Sequence, residues 1–223
     1  MKRILALQLL ACLAIWSADA NTITSQTLPF AGGEGAFANV LHFTKFDTSL
    51  GTLTGVTISM TATGYGTLTV QNTSGNSVSF YNAHADVPVL VEGPDGLTIS
   101  TTLQSGNFGT PGSRVDAPPN VTTSYNGSSG TLSALGSVLS GNLSLYSGLG
   151  GGLFDVTASP GDASSSGTET GGGHGYLLFG ASETVSGTVK VEFTYTAVPD
   201  GGLTAMLLGM GMLALGTVRR MVK

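Results

Sequence analysis

Residues 189–197 alternate apolar and polar side chains without a break. Val189, Val191, Phe193 and Tyr195 fall on one parity, with Lys190, Glu192 and Thr194 on the other. Successive side chains of a strand point to opposite faces, so this pattern suits a strand with one dry and one wet face, and it does not suit a helix. Residues 52–63 repeat it, with Val56, Ile58 and Met60 set against Thr57, Ser59 and Thr61. Threonine is β-branched yet polar, so it can cover the wet face of a sheet without charge. The composition agrees: residues 21–197 hold 50 Ser and Thr but only three basic and eleven acidic residues. That balance leaves no basic stripe to neutralise phosphates, and nucleic acid is excluded as a partner.

Shorter strand signals follow at spacings near ten residues: Leu68 with Val70, Val78 with Phe80, residues 87–91, and Leu97 with Ile99. Residues 143–146, 153–158 and 176–179 continue the series. Turn-forming residues separate them, at Gly64-Tyr65-Gly66, Asn72-Thr73-Ser74-Gly75-Asn76 and Gly93-Pro94-Asp95-Gly96. Leu132, Leu135, Val138 and Leu139 have helical spacing, and residues 106–130 and 148–175 read as long loops. Many short strands with Gly/Pro turns predict an all-β, antiparallel β-sandwich of immunoglobulin-like or jelly-roll style.

The two ends read differently. Met1-Lys2-Arg3, an apolar run over 4–16 and Ser17-Ala18-Asp19-Ala20 have the three parts of a signal peptide, with Ala18 and Ala20 setting a cut before Asn21. Leu9-Leu10-Ala11-Cys12 superficially fits a lipoprotein box, but the apolar run continues past it. Cys12 is the single cysteine, so the chain from Asn21 onward has no disulfide and depends on its core. Near the other end, Val198, Pro199, Asp200, Gly201 and Gly202 precede sixteen uncharged residues, 203–218, followed by Arg219, Arg220 and Lys223. As a helix this stretch is about 24 Å long, a short transmembrane helix whose basic flank stays cytoplasmic. Three segments result: signal peptide 1–20, exported sandwich 21–197 and sorting signal 198–223.

The motif, short apolar helix and basic cluster together resemble the PEP-CTERM class of bacterial sorting signals, closest to the variant written Val-Pro-Asp-Ser-Gly. Val198, Pro199, Asp200 and Gly202 match it, while Gly201 stands where Ser is usual. The resemblance implies an exosortase that cleaves near the motif, after passage through the general secretion machinery. Residues 46–60 together with 191–196 resemble the choice-of-anchor E domains of exported bacterial proteins, which carry no assigned activity.

The chemistry between the ends is sparse. His42, His84 and His174 have no metal-ligand spacing. Asp86, Glu92 and Asp95 cluster around one strand pair and could offer oxygens to Ca²⁺, as could Asp155, Asp162 and Glu169 around a Ser/Gly-rich stretch. Neither group has the density of a dedicated loop, and no serine sits in a G-x-S-x-G elbow. The sequence therefore predicts no catalytic residue, no metal and no cofactor. The expected function is that of an exported surface or extracellular-matrix protein, passing through the inner membrane, with extracellular polysaccharide as a partner. A carbohydrate-binding module is the alternative, using Tyr65, Tyr81, Tyr125 or Tyr146 as sugar platforms, and a two-carboxylate secreted hydrolase is a further one.

Overall fold

A computed structural model of the chain describes residues 21–32, 37–170 and 176–198, together with Gly209, Gly211 and Met212. The strands are β1 (Asn21–Gly32), β2 (Asn39–Thr44), β3 (Phe46–Asp47), β4 (Gly51–Asn72), β5 (Val78–Glu92), β6 (Thr98–Gln104) and β7 (Val115–Ala117). They continue as β8 (Thr122–Ser128), β9 (Leu132–Ser137), β10 (Ser147–Gly148), β11 (Leu153–Pro160), β12 (Ser164–Thr170) and β13 (Leu177–Ala197). Two 3-10 turns, Thr48–Leu50 and Ser140–Tyr146, interrupt them.

The fold is all-β, two mainly antiparallel sheets packed face to face. One sheet runs β1-β13-β4, and β8 and β9 share the far edge of β4. The other runs β2-β11-β5; β12 also lies on the β11 side of β5, and β6 and β7 share its other side. A two-residue parallel pair, β3 with β10, forms a separate small ladder.

The alternation read from the sequence sets the register. Val189, Val191 and Phe193 of β13 lie opposite Met60, Ile58 and Val56 of β4, and all six are buried. They meet Phe43, Val87, Val89, Val91, Phe154 and Val156 from the second sheet in one large apolar cluster. A smaller cluster gathers Leu68, Val70, Phe80, Ala83, Ala117 and Leu177. One polarity thus serves β13 along its whole length.

Several local expectations are overturned by pairing partners distant in sequence. Gly64-Tyr65-Gly66 is no turn: it lies inside the 22-residue β4, where the Gly residues face a bulky side chain of β13. Val78 with Phe80 and residues 87–91 are one strand, β5, bent by a bulge at which Asn82 and Ala83 oppose Gly167. Asn82 takes φ 50° there, a left-handed conformation that Asn tolerates better than most residues. Of the helically spaced residues, Leu132 and Leu135 lie in edge strand β9, because β4 offers it a backbone ladder, while residues 143–146 fall in a 3-10 turn. The expected strand at 153–158 is β11, while the supposed loops also contain β7, β8 and β12. Their Ser, Thr and Gly content masked strands whose partners lie far along the chain.

Candidate functional site

The first residue of β1 and the last residues of β13 lie together at one end of the sandwich. Asn21 opens β1 opposite Thr196, and Gly51 opens β4 opposite Ala197. Val198 then donates its backbone N–H to Leu50 O at 3.1 Å, a further backbone link after the β13 ladder. Asp47 organises this end: its Oδ1 accepts the N–H of Ser49 at 2.9 Å and that of Gly150 at 3.1 Å. These bonds, those from Ser49 foremost, hold its carboxyl below the usual 3.8. Gly150, Gly151 and Gly152 all take positive φ, which suits glycine in the tight return after Leu149. Val198 is exposed, and it is the described member of the predicted sorting motif. Pro199, Asp200, Gly201, Gly202, Arg219, Arg220, Lys223, Ala18, Ala20 and His174 lie outside the described residues. So do the predicted signal helix and most of the predicted membrane helix. Among the described residues no helix is long and apolar enough to cross a membrane.

The outer face of the second sheet carries a polar cluster that the sequence analysis did not assemble. His84 Nδ1 donates to Asn82 O at 2.9 Å, so in the neutral ring Nε2 is the acceptor for Ser166 Oγ, also at 2.9 Å. Asp86 Oδ2 lies 3.3 Å from the same Nε2, and its Oδ1 accepts from Gln104 Nε2 at 3.0 Å. A catalytic triad places its acid on the opposite ring nitrogen from the serine. Here both crowd one nitrogen, an arrangement that ties β12, β5 and β6 together across the sheet surface. His42 forms a separate exposed pair with Asp155 at 2.7 Å, across β2 and β11.

The proposed carboxylate groups do not come together. Asp86 and Glu92 share a face of β5 but stand six residues apart, about 20 Å. Asp95 turns instead to Tyr146, whose hydroxyl donates to Oδ1, while Asn142 Nδ2 lies 3.5 Å from Oδ2. Burial, and then the hydrogen bond to Asp95 and its charge, push the Tyr146 phenol well up. Glu169 accepts the Tyr176 N–H at 3.3 Å. Among the described residues no group of three metal-ligating side chains forms. Two of the four tyrosines are also not platforms: Tyr146 is fully buried, and Tyr125 packs against Phe80 and Phe108, where burial raises its phenol. Tyr65 is exposed on the first sheet and Tyr81 lies on the second, so they form no common surface.

The most unusual electrostatics lie inside. Glu183 is the one charged residue on the inward parity of β13, and it is 3% exposed. Neither carboxylate oxygen has a hydrogen-bond partner. Burial, reinforced by the Asp86 charge, pushes its carboxyl up to about 7. Gly64 and Gly66 make room for it: a Cβ on Gly64 would sit 2.0 Å from Glu183 Oε1, and one on Gly66 would sit 2.9 Å from Cγ. Buried Ser129 bonds Gly64 through its hydroxyl, and buried Ser105 accepts the Ala85 N–H at 2.9 Å. Together these residues form a polar waist between the two apolar clusters. The glycines at 64 and 66 opposite a lone inward Glu were the available signal, and it needed the register to be read.

Comparison with protein-family models and with curated proteins finds no match. Among solved structures, the VP2 subviral particle of infectious bursal disease virus matches at 15% identity and TM-score 0.20, over 88% of this chain and 50% of that one. The Gx strain of the same virus matches at 13% and 0.14, over 88% and 49%. The chain thus spans about half the length of these structures, and likeness at such scores does not extend to function.

Proposed function

We propose that this chain is an exported bacterial surface or extracellular-matrix protein without catalytic activity of its own, sorted and processed by an exosortase. The observation that carries the reading is the shared exit of both ends. Asn21, the residue after the expected signal cut, lies in β1 opposite Thr196, and β13 ends at Ala197, directly before the expected sorting motif. Both apolar segments can therefore occupy one membrane while the sandwich hangs outside. A cut after Val198 severs no described strand.

The sandwich itself is a jelly roll. With β6 and β7, β8 and β9, and β11 and β12 each counted as one strand, and the two-residue pair set aside, the sheets run 1-8-3-6 and 2-7-4-5. Held by two apolar clusters between its sheets, such a domain needs no cysteine to survive outside the cell.

Intact-mass measurement of the protein from membranes and medium, in hosts with and without the exosortase, tests the reading. The expected product starts at Asn21 and lacks the residues after the motif only where the exosortase is present. A native polypeptide keeping both Met1 and Lys223 would refute it.

A further inference from the structure

We infer that the exit end of the sandwich is a lipid-docking surface, with Leu50, Leu149 and Val198 as the side chains that enter the bilayer interface; this rests on the membrane-sorting reading above. Leu149 is 85% exposed, the highest exposure among the large apolar side chains described, and Leu50 and Val198 are 52% and 57% exposed. A soluble surface shows single apolar residues everywhere, so exposure alone decides nothing. Their linkage and position decide it. One Asp47 oxygen binds the N–H of Ser49 and of Gly150, which adjoin Leu50 and Leu149, and Leu50 O accepts the Val198 N–H. Three exposed apolar residues are thus held on one hydrogen-bonded frame.

The chain itself says what covers that frame. Only Pro199, Asp200, Gly201 and Gly202 separate Val198 from the apolar stretch starting at Leu203. Five extended steps span at most about 17 Å. Once that stretch enters a bilayer, this end of the domain is held within reach of the headgroup layer, whereas the opposite end is not. Charge agrees. Residues 44–51 and 147–153 contain one cation, Lys45, and one anion, Asp47, whose Oδ1 is already engaged by backbone N–H groups. The contact is therefore made by apolar insertion rather than by attraction to anionic headgroups.

The full-length chain with Cys12→Ser, carrying one thiol from Leu149→Cys, Leu50→Cys or the control Leu135→Cys on β9, is labelled with a polarity-sensitive fluorophore and reconstituted into phosphatidylcholine vesicles. The expected result is co-flotation, with blue-shifted emission, quenched by spin-labelled lipid, from positions 149 and 50 but not 135. Adding Leu149→Asp should return the probe at position 50 to water without releasing the protein. Co-flotation with position 149 as wet as 135 overturns the docking surface and leaves the sorting reading standing. Failure to float overturns both.

Discussion

At the scale of single residues, Glu183 dominates. A carboxyl raised from 4.5 to about 7 keeps, in the folded state, a proton that the unfolded chain gives up. Stability therefore falls as pH climbs from about 4.5 to about 7, by up to about 3 kcal/mol from this group. Glu183→Gln should match the parent protein at the acid limit and exceed it above neutrality, read as the difference between urea denaturation midpoints across that range. Gly64→Ala is the companion test. Its Cβ would overlap Glu183 Oε1, so it should cost about 1–3 kcal/mol. Adding Glu183→Ala should recover most of that loss, and a strictly additive double-mutant cycle would show that the two positions do not share space.

At the scale of elements, the open flank of the sandwich is closed by a side chain acting as backbone. Gln26 of β1 donates to Thr44 O at 2.7 Å and accepts the Thr44 N–H at 2.9 Å, so the edge of β2 is satisfied there without a neighbouring strand. Gln26→Ala should cost about 1–2 kcal/mol and speed hydrogen exchange at the Thr44 amide. Tyr146 plays a similar part for the 3-10 turn Ser140–Tyr146, anchoring it to the Asp95 turn while its ring packs edge-on against Phe154. Tyr146→Phe keeps the packing but removes the donor, and a loss of about 1–2 kcal/mol in thermal unfolding is expected. The polar cluster at His84 is likewise a cross-strand tie.

At the scale of the whole molecule, the placement of both ends governs what can be cut. The ladder between β13 and β4 stops at Ala197 opposite Gly51, and among the described residues the apolar clusters draw on none beyond Tyr195. A chain stopping at Val198 should therefore keep the thermal midpoint of the full chain. A fall of several degrees would mean that the later residues support the sandwich. Stopping at Ser186 instead removes Val189, Val191 and Phe193 from the centre of the larger cluster, and no cooperative transition should remain.

Strand character was legible along β4 and β13 because a period of two is a local property, written in consecutive residues such as Val189, Val191 and Phe193. The proposed addresses at the two ends rest on equally local properties, namely length, apolarity and flanking charge. Strand length, the edge strands and the waist were not. Whether Gly64-Tyr65-Gly66 turns or runs straight depends on Glu183, more than a hundred residues away. Whether Asp95 meets a metal or Tyr146, and whether Tyr125 meets solvent or Phe80, likewise depends on which strands become neighbours. Local pattern decides which face of a strand is dry; only the strand order and the packing of the two sheets decide what that face meets.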